Sequence, residues 1–349
     1  MITRTLITLA AFGMLTSTAL AELELHENLS LSGWVDFNWV TTESEAPNNS
    51  RSKTLALNEV ELNFHLNLAD GLYGQVDINY TDGDSDDADD IELEQAFISY
   101  TLMDSETSNL TVTAGRFLSW MGWESADLVN LYQFSYGGLG NFGVVPGYQD
   151  GARAVFSGDM YSVGAAIVDG VWSSNDDSED TGFELMASIN PVEDLTVFLG
   201  YAQEELDDTV ASGLDDTTFG NIWASYQVNE KILVAAEYAE VNDYGVGTGD
   251  ANSFTGFGAS DGSYIDGETF LVMVNFTLTD RIGLTLRYSE VEADVIGSSV
   301  SEEWSEYTIA PSFRVTDNLG LILEYRHDDY DSDSTPDSDT LALEATLTF

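Results

Sequence analysis

A two-residue repeat of apolar and polar side chains, renewed from one end of the chain to the other, is the feature that most limits its fold. Thr340 to Phe349 reads TLALEATLTF. Leu341, Leu343, Ala345, Leu347 and Phe349 fall on one side, and Ala342, Glu344, Thr346 and Thr348 on the other. A period of two places these sets on opposite faces of a β-strand. Leu29, Leu31, Gly33, Val35, Phe37 and Trp39 alternate in the same way with Ser30, Ser32, Trp34, Asp36 and Asn38. So do Val60, Leu62, Phe64, Leu66 and Leu68 with Glu59, Glu61, Asn63, His65 and Asn67. Near the other end, Phe270 to Leu278, Ile282 to Tyr288, Tyr307 to Val315 and Leu319 to Tyr325 repeat the design. Such strands suit a wall with lipid on one side and water on the other.

The connections alternate in length. Short turns such as Ala69-Asp70-Gly71, Gly158-Asp159, Thr279-Asp280-Arg281 and Thr316-Asp317-Asn318 take turns with long loops. The long ones include Thr41 to Lys53, Thr81 to Asp90, Leu118 to Tyr148 and Asn242 to Asp266. Short turns on the periplasmic side and long loops outside are the signature of an outer-membrane barrel. The expectation is an all-β transmembrane antiparallel barrel of about sixteen strands with both termini periplasmic. Tyr80, Tyr100, Tyr201, Tyr226, Tyr238, Tyr288, Tyr307 and Tyr325 lie near strand ends, where a barrel keeps its aromatic girdle. A soluble β-sandwich or β-solenoid also alternates, but would not need that girdle. Two strands read less cleanly. Pro311 should mark a bulge or a weakened pairing, and Ile91 to Leu102 has no certain register.

Charge narrows the partners. The 349 residues carry 62 Asp plus Glu against 10 Lys plus Arg, a formal charge of -52, and no Cys. Phosphate binding needs clustered bases, so nucleic acid is excluded. The absence of Cys removes disulfides and thiolate metal sites. Residues 1–21 read as a secretory signal: Arg4, an apolar core over Leu6 to Leu15, and Ala19-Leu20-Ala21 before Glu22. Residues 22–349 are then a single barrel domain.

The connection 118–148 differs from the acidic loops. It holds Trp120, Trp123, Tyr132, Phe134, Tyr136 and Phe142 with Gly137, Gly138 and Gly140. Such a loop gains by burial, so it is expected to fold into or over the lumen; packing outside, at a subunit interface, is the other solution.

Gly115-Arg116-Phe117, Gly122-Trp123-Glu124, Asn130, Phe134-Ser135-Tyr136, Pro146 and Gly151-Ala152-Arg153 resemble the central block of the β-barrel porin-2 (OmpL-like) group of Gram-negative outer-membrane porins. Ser32-Gly33-Trp34-Val35-Asp36, Glu94-Gln95-Ala96-Phe97 and Val168-Asp169-Gly170-Val171-Trp172 are similar too. The likeness covers the first half well, with Trp123 where Tyr is usual and Gln149-Asp150 where His-Thr is usual. It implies a porin-like channel in the outer membrane.

Parity places Asp36, Glu59, Glu61, Asp77, Glu184, Glu237, Glu306, Glu324 and Glu344 in the lumen, with Arg153, Arg287, Arg314 and Arg326 as the bases. Acidic rings favour cations, and the acidic loops extend the field. The expected function is passive diffusion of small hydrophilic solutes with a preference for cations. A constriction is expected from Glu124, Asp127, Arg153, Arg287 and Arg326, with Arg153 on the wall facing Glu124 and Asp127 from the loop. That contact could equally be a plain structural salt bridge. The alternative is a non-conducting surface barrel whose acidic loops bind divalent cations, lipopolysaccharide or a partner.

No cofactor is expected beyond weak Ca²⁺ or Mg²⁺ on acidic loops. Asp82-x-Asp84-x-Asp86 and Asp329-x-Asp331-x-Asp333 begin like calcium loops, but the first has Asp87 where Gly is needed and Leu93 where Glu is needed. His26, His65 and His327 are too scattered for zinc or for a hydrolase, so no enzyme activity is expected. Partners are outer-membrane lipids and permeating solutes; analogy with large porins admits a homotrimer.

Overall fold

The computed structural model describes residues 22–45, 50–81, 91–125, 127–172, 181–205, 216–245, 263–331 and 335–349. The expected signal at 1–21 and the loop carrying Asp82, Asp84 and Asp86 lie outside them.

The strands are β1 (Leu23–His26), β2 (Leu29–Ser44), β3 (Arg51–Ala69), β4 (Leu72–Thr81), β5 (Ile91–Asp104) and β6 (Ser108–Leu118). They continue as β7 (Tyr148–Gly158), β8 (Tyr161–Val168), β9 (Gly182–Val192), β10 (Leu195–Glu204), β11 (Thr217–Asn229) and β12 (Ile232–Gly245). The last are β13 (Tyr264–Thr279), β14 (Ile282–Val295), β15 (Ser301–Arg314), β16 (Leu319–Tyr330) and β17 (Ser338–Thr348). From β2 onward each strand pairs antiparallel with the next, and β17 returns to β2 through Leu343↔Trp39 and Leu347↔Val35. β2 to β17 therefore make a closed 16-stranded barrel, which leaves no long edge unpaired. Several strands run further than the alternation alone suggested: β2 extends to Ser44 and β3 begins at Arg51, inside the stretch expected as loop.

The seam is finished by the last residue. Phe349 exchanges backbone hydrogen bonds with Gly33, at 2.8 and 3.0 Å. β1 then takes over the same edge of β2 at Leu31 to Leu29, the other edge being occupied by β3. A Cβ on Gly33 would meet Glu61 O at 2.2 Å and the Phe349 ring at 3.1 Å, so only Gly lets three chain segments meet there.

The outward face is apolar and exposed: Phe37, Ile98, Ile167, Leu199, Phe270, Leu286, Ile309 and Leu343 stand on it. For a soluble protein this would be an aggregating surface; for a barrel in a bilayer it is the lipid face. Tyr100, Tyr201, Tyr226, Tyr238, Tyr307 and Tyr325 are exposed alongside it. Pro311 weakens a pairing without making a bulge. The β15–β16 ladder steps from Ile309↔Tyr325 to Ser312↔Ile322, skipping Ala310 and Pro311 while keeping register.

Two true bulges lie on the inner wall beside β4. In β3, Asp36↔Glu59 is followed by Phe37↔Leu57, which leaves Asn58 as the extra residue. In β5, Asp77↔Gln95 is followed by Ile78↔Leu93, which leaves Glu94 as the extra residue. The second explains the untidy sequence of β5. Ile91 and Leu93 face out below the bulge, whereas Ile98, Tyr100 and Leu102 face out above it. One inserted residue reverses the parity.

Candidate functional site: a lumen divided by its own loop

Between β6 and β7 the chain leaves the wall and folds inward. Its neck is closed by Ser119 N–H donating to Gly147 O (2.8 Å). Trp120, Met121, Trp123, Leu139 and Val144 are buried in one apolar cluster with inward residues of β7 to β14. Val155, Met186, Phe198, Phe219, Trp223, Leu271 and Met273 are among these. Trp123 meets Trp223 at 5.2 Å between ring centroids, and Trp223 stacks on Phe198 at 5.1 Å. The inner wall is thus two-sided. From β7 to β14 it is largely apolar and carries the loop; on β15 to β17 and β2 to β5 it is polar.

Wall carboxylates grip the loop by its backbone. Glu237 on β12 accepts from Trp123 N–H (3.0 Å), and Glu306 on β15 from Gly138 N–H (2.8 Å). Glu324 on β16 accepts from Phe134 N–H (2.8 Å) and Ser135 N–H (3.1 Å). Glu184 on β9 takes the Ser119 hydroxyl (2.5 Å) and the Gln149 amide (2.7 Å). Four acids read from parity as lumen charges therefore serve as anchors. A loop amide gives up its water most cheaply to an ionised acceptor.

The centre of the latch is Arg287 on β14. Its Nη1 donates to Glu124 Oε2 and to Ser135 O, at 2.8 and 2.5 Å. Its Nη2 reaches Ser135 Oγ (2.9 Å) and Thr308 Oγ1 (3.2 Å). Arg287 is 3% exposed and Glu124 6%. A Cβ on Gly137 would lie 2.9 Å from Arg287 Cζ, so the glycine makes room for the guanidinium.

This corrects the expected pairing of Glu124 with Arg153. Arg153 donates to Leu118 O (2.8 Å) and lies over the rings of Phe117 (4.2 Å) and Trp120 (5.3 Å). It braces the loop neck by cation–π contact. Loop backbone and aromatic rings claim it before an acid can. Arg326 pairs with Asp328 on its own strand (2.9 Å). Arg314 keeps inward parity but is exposed beside the turn after β15.

The polar half holds the remaining acids. Asp36, with no measurable exposure, accepts from Asn58 Nδ2 (2.9 Å) and Thr346 Oγ1 (3.4 Å). Asp77 accepts from Gln75 and Gln95, both at 2.6 Å. Asn79 Nδ2 donates to both Glu59 and Glu94 at 2.6 Å. The Tyr148 hydroxyl reaches Glu94 Oε2 (2.9 Å) and Asp127 Oδ1 (3.2 Å). Burial, and then the neighbouring Glu94, Glu59 and Asp77, hold the Asp127 carboxyl above the usual carboxylate range. Glu94, Asn79 and Tyr148 were not among the expected site residues. The break in alternation across Ile91 to Leu102 was the available clue to Glu94.

His65 hydrogen-bonds Ser32 Oγ and Tyr73, and His327 meets Asp339 at 2.9 Å, so the two stand in separate surroundings. Asp333, needed for the second calcium-like run, lies outside the described residues.

A closed 16-stranded barrel with an apolar exterior, a charged interior and an inward-folded loop defines a porin-type protein of the Gram-negative outer membrane. The chain belongs to the family described as "Putative beta-barrel porin-2, OmpL-like", whose sequence model matches residues 28–349. Among solved structures it is similar to Salmonella typhi OmpF in complex with daunomycin, with a TM-score of 0.70 at 13% identity, covering 94% of this chain and 100% of that one. The anion-selective porin of Comamonas acidovorans gives 0.62 at 12%, covering 92% and 99%. A trimer form of Vibrio cholerae OmpT gives 0.62 at 13%, covering 93% and 100%. No curated protein is matched by sequence.

Proposed function

We propose that this porin is a passive channel for small hydrophilic solutes and that it prefers cations. One observation carries the preference. Arg287 and Arg326 are each paired with a carboxylate, and Arg153 is held by loop backbone and rings. Asp36, Glu59, Asp77 and Glu94 have only neutral hydrogen-bond donors, and among the described residues no salt bridge reaches Glu61 or Glu344. The unbalanced field in the polar half is negative and concentrates cations.

In a planar bilayer across a potassium chloride gradient, the reversal potential should favour potassium over chloride by about tenfold at low salt. The preference should shrink as salt rises. A chloride-favouring potential sinks the preference. A protein that inserts but carries no current sinks the channel itself and leaves the non-conducting surface barrel. Assembly as a homotrimer is proposed by analogy with the trimer form of V. cholerae OmpT. Sedimentation of the detergent-solubilised protein at monomer mass would count against it.

A further inference from the structure

We infer that the polar half of the lumen contains a calcium site formed by Glu59 and Glu61 of β3 and Glu94 of β5. Each offers a carboxylate oxygen, and the three atoms lie within 4.8 Å of one another. Three carboxylates this close repel strongly unless something positive stands among them. Yet among the described residues no Lys, Arg or His forms an ion pair with any of them.

The second observation is independent of the cluster's charge. Glu61 is 2% exposed, and its Oε2 is buried with no hydrogen-bond partner. A buried carboxylate oxygen left in that condition is costly, and a coordinated cation removes the cost.

The surroundings orient two of the carboxylates and leave Glu61 Oε2 free. Asn79 orients Glu59 and Glu94 by donating to one oxygen of each, and the Tyr148 hydroxyl donates to the second oxygen of Glu94. Both are neutral, so they fix the carboxylates without cancelling their charge, as outer-shell partners of metal ligands do. The β5 bulge adds to this. Without it, Glu94 would share the parity of Ile98 and Tyr100 and face lipid. The inserted residue turns it into the lumen, toward two other acids. Bulges commonly re-aim a side chain in this way.

An all-oxygen, all-carboxylate set selects a hard cation over zinc or copper. Three carboxylates can each bind through one or both oxygens, which suits the flexible six to eight ligands of Ca²⁺. Mg²⁺ demands strict octahedral geometry and retains more of its water. The site depends on the barrel and its bulges rather than on conduction, so it can hold or fail independently of the proposed channel activity.

The test uses the full mature chain in detergent micelles, stripped with a chelator and titrated with Tb³⁺ as a luminescent stand-in for Ca²⁺. Trp34, the register partner of Glu61 across β2 and β3, serves as the sensitiser. A saturable component that Ca²⁺ displaces is expected, with Kd on the order of 10⁻⁵ M. It should weaken at least tenfold in Glu61→Gln and survive in Glu292→Gln, which removes an exposed carboxylate elsewhere. Thermal unfolding gives a second reading that does not depend on luminescence. Calcium should raise the melting temperature of the parent but not of Glu61→Gln. In chelator alone, Glu61→Gln should melt higher than the parent, because one of three repelling charges is gone. The site is overturned if binding is unchanged in Glu61→Gln, which places the ions on the outer loops. It is equally overturned if calcium does not raise the parent's melting temperature.

Discussion

Arg287→Met should destabilise the barrel by about 3–5 kcal/mol, the range for removing one partner of a buried ion pair. The substitution leaves the Glu124 carboxylate inside the lumen with Gln133 Nε2 and Gly137 N–H as donors, each at 2.8 Å. It also releases the carbonyls of Ser135 and Tyr136, which Arg287 holds at 2.5 and 3.3 Å. Two connected results are therefore expected. The denaturation midpoint in micelles should fall, and single-channel conductance should rise and become noisier as the loop leaves the wall. Glu124→Gln alone should cost less, because Arg287 keeps the Ser135 and Tyr136 carbonyls and the Ser135 and Thr308 hydroxyls as acceptors. The double variant should recover a large part of the loss, since the uncompensated charge is gone. If it is as unstable as Arg287→Met, the ion pair is not what secures the loop.

Trp223→Ala is expected to cost about 3–5 kcal/mol, the usual range for truncating a buried aromatic. Trp223 is 4% exposed and lies between Phe198 and the loop's Trp123. No wall residue can collapse far into the gap, because the β11 backbone is fixed by ladders to β10 and β12. Trp223→Phe should recover most of the stability. The two variants also separate the modes of loop attachment. Arg287→Met strikes the polar latch, Trp223→Ala the apolar bed. A loss below about 1 kcal/mol in Trp223→Ala would mean that backbone contacts to wall acids hold the loop without help from the rings.

Much of this was legible in the chain, for a physical reason. A lipid-facing wall must alternate at every residue, so strands and inward acids can be read from parity alone. Asp36, Glu61, Glu184, Glu306 and Glu344 are all buried on the inner side. What parity cannot carry is the choice of partner. Arg153 and Arg287 both point inward, and nothing in their neighbours along the chain says which one meets Glu124. The answer depends on how Gly137 lets the loop close over β14. Glu94 was missed for a different reason: one inserted residue reversed the count, and the reversal is visible only as an untidy strand. The role of Glu237, Glu306 and Glu324 was also hidden. An acid that faces water and an acid that holds a backbone amide look alike in sequence.

Those three glutamates have an implication for how such a pore can be retuned. They hold main-chain N–H groups, which every residue except proline supplies. At Phe134 the side chain is therefore not what Glu324 recognises, whereas Ser135 also accepts from Arg287 through its Oγ, and Gly138, at φ +58°, has no room for a Cβ beside Thr269. Where size allows, Phe134 can be exchanged while the loop stays seated, whereas a proline at any of the three removes a handhold. Permeation properties and mechanical seating are thus assigned to separate atoms of the same segment.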